Sequence, residues 1–177
     1  MSPAPSRADQ VAFRPLAEDD LPLLCAWLNR PHLRRFYQKA PIALDQVRAE
    51  YGPGVRGEEP SLPHLAMLGG RPFGYAQCYR LMDWPDYAAE IGVTGGVAMD
   101  YFIAEPQLIG VGLGKAMLGA YLDQVVFPTF PDETCCIVCH EAVNAASGGV
   151  LRSLGFRWVR DLIEGGAPSR MMALERS

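Results

Sequence analysis

Residues 100–118 read Asp100-Tyr-Phe-Ile-Ala-Glu-Pro-Gln-Leu-Ile-Gly-Val-Gly-Leu-Gly-Lys-Ala-Met-Leu118. The pattern predicts a strand with a carboxylate, a short loop with three alternate glycines, and then an amphipathic helix. Glycine has no Cβ, so the backbone at Gly110, Gly112 and Gly114 can approach a ligand closely. A glycine turn that leads into a helix also leaves N–H groups free beside the positive end of the helix dipole. The run therefore predicts a site for an anion such as a pyrophosphate.

Two common phosphate motifs do not fit this spacing. A P-loop requires G-x-x-x-x-G-K-[ST], whereas Gly110 and Gly114 are too close together and Ala116 replaces the magnesium-binding hydroxyl. A dinucleotide fingerprint requires G-x-G-x-x-G near the start of a βαβ unit, but the spacing here is G-x-G-x-G in mid-chain. A glycine-rich turn that binds no ligand remains an alternative at this point.

Length and composition limit the class of protein. A chain of 177 residues is long enough for one domain with a core and short for two. We expect a loose tail over residues 1–10 and a single domain over residues 11–177. Apolar residues make up 49% and charged residues 20%, as in soluble globular proteins. The sequence leaves open whether the protein acts as a monomer or a homodimer.

The chain also lacks the sequence features of several other classes. Its formal net charge is −4 and it has no basic stripe, which argues against nucleic acid as a partner. No apolar run reaches the length of a membrane span, so no membrane partner is expected. The first ten residues lack the apolar stretch of a signal peptide. The sequence thus predicts a cytoplasmic location.

The cysteine pattern needs a separate interpretation. Cys136-Ile-Val-Cys139-His140 matches the C-x-x-C-H haem attachment motif and also looks like half of a zinc site. It lies, however, in a short apolar run that is typical of a buried strand. Residues three apart on a strand point to opposite faces, so Cys136 and Cys139 cannot share a ligand. We expect buried free thiols, no metal, and a reducing compartment.

The remaining periodicity predicts the element order β-α-α-β-β-β-α-β-α-β-β. A second helix is predicted over Asp45–Tyr51, followed by a Gly52–Gly57 loop, and Asp83–Glu90 is predicted as an acidic, aromatic loop. The helix over Asn144–Leu154 contains the pair Gly148-Gly149. Each glycine costs about 1 kcal/mol relative to alanine, so this helix is expected to be short, kinked or late-starting.

Three segments carry a resemblance to a known family. They are Cys25-Ala-Trp-Leu-Asn-Arg-Pro-His32, Ala66-Met-Leu-Gly-Gly-Arg-Pro-Phe-Gly-Tyr-Ala-Gln77, and Met99-Asp-Tyr-Phe-Ile-Ala-Glu-Pro-Gln-Leu-Ile-Gly-Val-Gly-Leu-Gly114. Over roughly residues 11–174 the chain resembles the aminoglycoside 6'-N-acetyltransferase branch of the GNAT superfamily. The resemblance implies the GNAT fold, an α/β (α+β) architecture. Its mixed, mostly antiparallel central sheet has six to seven strands and is flanked by about four helices.

The resemblance also implies a function and a co-substrate. It predicts an N-acetyltransferase that uses acetyl-CoA and no metal, and that acts on a primary amine of a small cationic acceptor such as an aminoglycoside. Another small amine, for example a siderophore lysine precursor or a polyamine, is the alternative acceptor. A catalytically weak CoA-binding sensor is a further alternative.

Residues that would contact CoA follow from the same resemblance. The backbone of Phe102, Ile103 and Ala104 is expected to pair with the pantetheine arm as an added strand would. Asn144 is either the N-cap of the next helix or a polar CoA contact. The loop and helix start are expected to hold the pyrophosphate through Ile109, Gly110, Val111, Gly112, Leu113, Gly114 and Lys115.

Asp100 is the candidate general base. It stands among apolar neighbours, where a carboxylate is costly unless it meets solvent, a donor or a cation, and the branch carries an Asp at the matching position that contacts the amine. A carboxylate that merely accepts backbone hydrogen bonds at a bulge is the alternative. The predicted acceptor-binding residues are Phe36, Tyr37, Gln77, Trp84, Asp86, Glu90, Asp100 and Glu141.

The acid that protonates the leaving thiolate is the point where the sequence departs from the branch. Counting back from Gly155-Phe156, Leu151 stands where the branch has a tyrosine. Tyr101 and Tyr121 are interpreted as packing residues. Either the thiolate leaves unassisted or with the help of water, or catalysis is slow, or the helix is shifted at Gly148-Gly149.

Overall fold

The computed structural model describes residues 10–176. Its centre is a seven-stranded sheet in the order β1-β2-β3-β4-β5-β7-β6. The strands are β1 Val11–Pro15, β2 Leu62–Leu68, β3 Arg71–Arg80, β4 Val97–Ile103, β5 Cys135–Glu141, β6 Arg157–Glu164 and β7 Ala167–Glu175. Neighbouring strands are antiparallel except β4 and β5, which confirms the predicted mixed, mostly antiparallel sheet. The tail predicted over residues 1–10 lies, apart from Gln10, outside the described residues.

Helices cover both faces of the sheet. They are α1 Leu21–Leu28, α2 Pro31–Phe36, α3 Leu44–Val55, α4 Pro85–Ile91, α5 Leu113–Tyr121, α6 Phe127–Thr129 and α7 Ala145–Ser153, with a π-helical turn at Leu122–Val126 between α5 and α6. Helices α1, α2 and α3 pack on one face around Trp27, Tyr75 and Phe102. Helices α5 and α7 pack on the other face around Met99 and Met117. Over residues 10–176, no helix combines the length and apolar character needed to cross a membrane.

Two predicted loops are helical instead. Pro85–Ile91 forms α4, with proline in its first turn and Gly92 in a left-handed conformation at its end, which are regular helix start and stop signals. The second helix does not end at Tyr51 but continues through Pro53 to Val55. Because Pro53 stands only two residues from the end of α3, it removes one hydrogen bond from the helix and leaves the preceding turns intact.

The parallel contact between β4 and β5 is very short. It consists of two residue pairs, Val97↔Cys136 and Ala98↔Ile137, after which the strands diverge. On its other side, β4 remains paired with β3 as far as Ile103. The second half of β4 therefore has one edge that faces a gap in the sheet.

Backbone alternation decides which peptide groups face this gap. The Leu81 N–H donates to the Gly96 carbonyl (2.9 Å), and the Ala104 N–H donates to the Phe73 carbonyl (2.8 Å). The pairing register between these two bonds is continuous. The even-numbered residues of β4 therefore direct their N–H and C=O groups toward β3, and the odd-numbered residues direct theirs away from it. Tyr101 and Ile103 consequently turn their peptide groups toward the gap.

Helix α7 runs through both glycines without a break. Gly148 packs on His140 of β5, and a Cβ at position 148 would lie 3.1 Å from His140 Cε1 and 3.2 Å from Nε2. A Cβ at Gly149 would meet no atom within 4 Å. Gly148 thus permits close contact between α7 and the sheet, whereas Gly149 has no packing role.

The strand β5 also settles the cysteine pattern. Cys136 is buried in the cluster on the α5 and α7 face, and Cys139 packs against the cluster on the opposite face. The prediction that these two thiols point to opposite faces is confirmed.

The two glycines of α7 provide a matched stability test. Gly149→Ala should raise the free energy of unfolding by about 0.5–1 kcal/mol, because alanine loses less backbone entropy in a helix. Gly148→Ala should not raise the free energy of unfolding in this way, because the added methyl group must displace the buried His140 ring. Urea denaturation of both variants measures the difference, and equal stabilisation by both alanines would contradict the packing role of Gly148.

Candidate active site

The glycine loop before α5 has the backbone geometry of a ligand cradle. Gly110 and Gly112 have φ angles of +78° and +82°, and Gly112 is the N-cap of α5. A Cβ at either position would meet no atom within 4 Å, so the left-handed backbone conformation, and not lack of space, requires glycine there. Gly114 differs, because a Cβ there would lie 3.3 Å from Val150 of α7.

The surroundings of this loop suit an extended anionic ligand. The first-turn N–H groups of α5 have no partners within the helix, and Lys115 is an exposed cation in that turn. Ile109 and Val111 expose 44% and 46% of their surface and offer apolar contact beside the polar groups. The loop and the start of the helix can therefore bind a ligand that carries an apolar group next to its phosphate.

The end of β4 is anchored by two basic residues of the α1–α2 region. His32 Nε2 donates to the Ile103 carbonyl (3.1 Å). Arg30 Nη1 donates to the Ala104 carbonyl (2.6 Å) and pairs with Glu105 (3.0 Å). Among the three predicted backbone contacts, Phe102 and Ala104 bond toward β3, and only Ile103 presents its N–H to the gap.

A cleft opens on the α1–α3 face of the sheet. It encloses about 390 Å³, and its walls come from the end of α2, from α3, from β2 and β3, and from the start of α4. The walls are mainly aromatic and carry two carboxylates. The lining residues are Tyr37, Gln38, Glu50, Tyr51, Glu59, Ser61, Pro63, Tyr75, Gln77, Tyr79, Trp84 and Tyr87.

Asp100 is half-buried and lies next to this cleft, in register with Gln77 of β3, which lines it. The Tyr75 hydroxyl donates to Gln77 Oε1 (2.8 Å), and Gln77 Nε2 donates to Asp100 Oδ2 (2.8 Å). This chain of hydrogen bonds fixes the amide and directs its donor at the carboxylate. Burial raises the pKa of Asp100, and the hydrogen bonds from Gln77 and Tyr79 oppose that rise.

The tyrosines of the cleft remain neutral donors. Burial raises the pKa of Tyr37 and Tyr75 well above the usual value for a phenol. The Trp84 indole N–H is buried and has no hydrogen-bond partner among residues 10–176. A carboxylate with a raised pKa, surrounded by aromatic rings, can bind a cation and accept a proton from it.

The other side of β4 holds a second polar arrangement. The Tyr101 hydroxyl lies 2.6 Å from Ser147 Oγ in the first turn of α7, and the Asn144 side chain caps that helix by accepting from the Ser147 N–H (3.2 Å). Leu151 has no exposed surface and belongs to the core. A tyrosine at position 151 would overpack this core, so we expect Leu151→Tyr to destabilise the protein and not to supply the missing acid.

The family assignment follows from comparison with known proteins. The family model for the acetyltransferase (GNAT) domain matches residues 17–162, which include the glycine loop, β4 and most of the cleft. The chain belongs to the GNAT acetyltransferase family. Residues 10–176 contain no group of three or more His, Cys, Asp or Glu side chains placed to hold a metal ion.

Individual GNAT relatives are aminoglycoside acetyltransferases. The chain is 34% identical over 121 residues to the aminoglycoside N(6')-acetyltransferase type 1 of Klebsiella pneumoniae. The aligned region covers 65% of this chain and 59% of that relative. It thus spans about 59% of the length of this curated relative.

Solved GNAT structures show the same architecture. AAC(6')-Ib in complex with paromomycin and acetyl-CoA has a TM-score of 0.79 and 28% identity, with 95% of this chain and 94% of that chain covered. AAC(6')-Ib in complex with ribostamycin and coenzyme A has a TM-score of 0.79 and 27% identity, with the same coverage. The predicted GNAT fold is confirmed.

In this GNAT chain, three predicted acceptor residues besides Asp100 lie at the cleft. Tyr37, Gln77 and Trp84 line it. The others have different partners: Phe36 stacks on Arg35 (4.8 Å), Glu90 accepts from the Gly165 N–H (2.9 Å), Asp86 is exposed outside the lining, and Glu141 is ion-paired with Lys39.

Sequence reasoning missed most of the cleft wall. Tyr75, Gln77 and Tyr79 alternate along β3, which places them on one face. A row of polar groups on a central strand is a detectable signal, because such a face is normally apolar. No sequence pattern predicts that Glu50 and Glu59 line the cleft. They lie far from β3 along the chain, and α3 and the segment that follows it bring them there.

The raised pKa of Asp100 predicts a pH-dependent cost to stability. Above that pKa, the folded protein holds a charged carboxylate that burial disfavours. This cost to stability is lost as the pH falls from that pKa to the lower pKa of the same carboxyl in the unfolded chain. Asp100→Asn should therefore raise the free energy of unfolding at neutral pH, and its advantage should shrink toward acidic pH. Urea denaturation at several pH values measures this, with Asp45→Asn as an exposed control. A wild-type protein that is more stable than Asp100→Asn at neutral pH would contradict the assignment.

Proposed function

We propose that this chain is an acetyl-CoA-dependent N-acetyltransferase, formed by a single domain over residues 11–177, that acts on a primary amine of a small cationic acceptor. One observation carries the proposal: a cradle for an anion follows β4, the second half of β4 has an unpaired edge, and the half-buried carboxylate of Asp100 lies next to an aromatic cleft. An acyl donor and an amine acceptor can therefore meet at a single strand.

The described residues fit the shape and charge of acetyl-CoA. The glycine loop and the α5 N-terminus match a pyrophosphate. The peptide groups of Tyr101 and the Ile103 N–H offer hydrogen bonds to an amide-containing arm that lies in the gap between β4 and β5. AAC(6')-Ib, which has the same architecture, has been solved with acetyl-CoA.

Asp100 would act on the acceptor amine. Its carboxylate attracts the ammonium form, and its raised pKa makes it a better proton acceptor than an exposed aspartate. Gln77 keeps the carboxylate oriented. Holding the amine and the thioester together at β4 removes much of the entropic barrier to transfer.

The cleft supports a cationic acceptor, and two acceptor classes fit it. Aminoglycosides are the first candidate, because the relatives are named for them. A linear polyamine is the second candidate, because the cleft of about 390 Å³ is walled by aromatic rings and carries only Glu50 and Glu59 as carboxylates in its lining. Slim alkylammonium groups bind well between aromatic faces.

The glycine loop can be tested by one substitution. Gly112→Val places a β-branched residue at a left-handed position and should weaken CoA binding at least tenfold, about 1.4 kcal/mol. Gly69→Val is the matched control, because Gly69 also has a positive φ of +56° and open space around a Cβ but lies in the β2–β3 turn. Calorimetry measures both affinities, and an unchanged affinity in folded Gly112→Val would refute the cradle.

The activity is tested by thiol release from acetyl-CoA with a panel of aminoglycosides, polyamines and lysine derivatives. We expect at least one amine to raise thiol release above background, and Asp100→Asn to lower kcat with that amine by about 10²-fold, the usual scale for loss of a general base. CoA affinity should hardly change in this variant. Asp45→Asn, an exposed carboxylate on α3, should keep the wild-type rate.

The outcomes separate the alternatives. CoA binding without thiol release for any amine would favour a sensor and overturn the transferase proposal. Release with polyamines but not with aminoglycosides would select the second acceptor class. A wild-type rate in Asp100→Asn would remove Asp100 from the mechanism.

A further inference from the structure

The site as described lacks an acid for the thiolate that leaves when an amine attacks a thioester. Leu151 is aliphatic and fully buried. Tyr121 is turned away, because its hydroxyl lies 3.0 Å from His64 Nδ1 on the far side of β3. The Tyr101 hydroxyl, in contact with Ser147 Oγ at 2.6 Å, is the remaining phenol on the α5 and α7 face of β4.

The position of this hydroxyl follows from helix geometry. Side chains on a helix lean toward its N-terminus, so a residue covers the turn before its own Cα. Positions 147 and 151 are four apart and share one face of α7. A tyrosine at 151 would therefore have placed its hydroxyl near Ser147. In this chain, Tyr101 reaches the same turn from the strand.

Tyr101 also borders the gap in which an acyl donor would lie. Its peptide groups face the gap, and its ring lies on the α7 side of the sheet. The Tyr101 hydroxyl contacts Ser147 Oγ on α7, and His140 of β5 packs against Gly148, the next residue of that helix. Tyr101, His140 and Ser147 therefore lie close together beyond the last paired residues of β4 and β5.

Only one of these groups is placed to donate a proton. His140 Nδ1 lies 2.8 Å from the Glu141 carbonyl, so Nδ1 carries the hydrogen and Nε2 is an acceptor. Nε2 has no partner among residues 10–176, and burial lowers the pKa of His140, which keeps the ring neutral. Ser147 is a weaker acid than a phenol, and its N–H is already used by Asn144.

We infer that Tyr101, held in place by Ser147, is the proton donor to the CoA sulfur. The inference rests on the proposed function. The neutral amine attacks and forms the C–N bond, and its nitrogen passes one proton to Asp100, which releases it to solvent. Collapse of the adduct breaks the C–S bond, with its electron pair going to sulfur. The Tyr101 O–H proton passes to that sulfur and gives the thiol. Ser147 Oγ–H donates a hydrogen bond to the phenolate, which recovers a proton from solvent.

The protonation state of Tyr101 agrees with this role. Burial raises its pKa to about 12, against the opposing effect of the Ser147 hydrogen bond. The phenol is therefore fully protonated at neutral pH, as an acid must be before it acts. The charge of Asp100, the adjacent residue on β4, also raises this pKa.

The kinetic test compares two tyrosine-to-phenylalanine variants. Tyr101→Phe should lower kcat by about 10²-fold, the scale of acid assistance, with KM for acetyl-CoA within about twofold because the ring and peptide groups remain. Tyr121→Phe, another buried tyrosine, should keep the wild-type kcat. Ser147→Ala should lower kcat by about three- to tenfold, since it removes one hydrogen bond. Wild-type kcat in Tyr101→Phe would overturn the inference, and wild-type kcat in Ser147→Ala alone would remove Ser147 from it.

A second measurement does not depend on turnover. Thiolate absorbance of the bound CoA, taken as the difference between complexes with CoA and with desulfo-CoA, gives the pKa of the bound thiol. A donor at the sulfur stabilises the thiolate, so Tyr101→Phe should raise this pKa and Tyr121→Phe should not. No shift would overturn the inference. A shift without acetylation of any amine would keep the contact between Tyr101 and the sulfur while refuting the transferase function.

Discussion

The whole site depends on the early end of pairing between β4 and β5. Two residue pairs join these strands, and beyond them β4 keeps its partner on one side only. A buried strand edge with unpaired peptide groups is costly, so it persists only where something else bonds to it. Here α2 partly meets that need through His32, and the remaining groups are available to a ligand. The peptide groups left unpaired where β4 and β5 diverge can thus serve as hydrogen-bonding groups for a ligand.

The two faces of β4 are prepared for different chemistry. On the α1–α3 face, stacked aromatic rings such as Tyr75 and Phe102 (5.3 Å) give Asp100 apolar surroundings, and burial makes its charged form less favourable. On the α5 and α7 face, the core neighbours are apolar, and the polar side chains beside them include the Tyr101–Ser147 pair and His140. A low-polarity environment strengthens each remaining hydrogen bond. The polar groups on either face are therefore few, and Asp100 and Tyr101 each have a defined hydrogen-bond partner.

The sequence predicted the fold well because its main signals are local. The glycine loop, the Gly69-Gly70 hairpin and the alternation of β4 each depend on neighbours in the chain, and the family resemblance supplied the topology. The cleft was predicted less well, because Glu50 and Glu59 reach it through tertiary packing. Helix α4 was missed although Pro85 and Gly92 mark its ends, since the acidic and aromatic composition of the segment favoured a loop. The two glycines of α7 led to the wrong expectation of a short or kinked helix. Glycine is needed at position 148 because His140, on another element, packs against it.

Asp100 and Tyr101 are consecutive residues whose side chains leave β4 on opposite faces. Their separation is fixed by a single peptide unit, so it does not change when a helix shifts or a loop rearranges. An enzyme with one group on a strand and the other on a helix must keep two elements aligned within a fraction of an ångström. In this chain, the proposed base Asp100 and the proposed acid Tyr101 would move together with β4 as one rigid body. Mobility of α7 would then affect Ser147 and ligand access while leaving the spacing between the proposed base and acid unchanged.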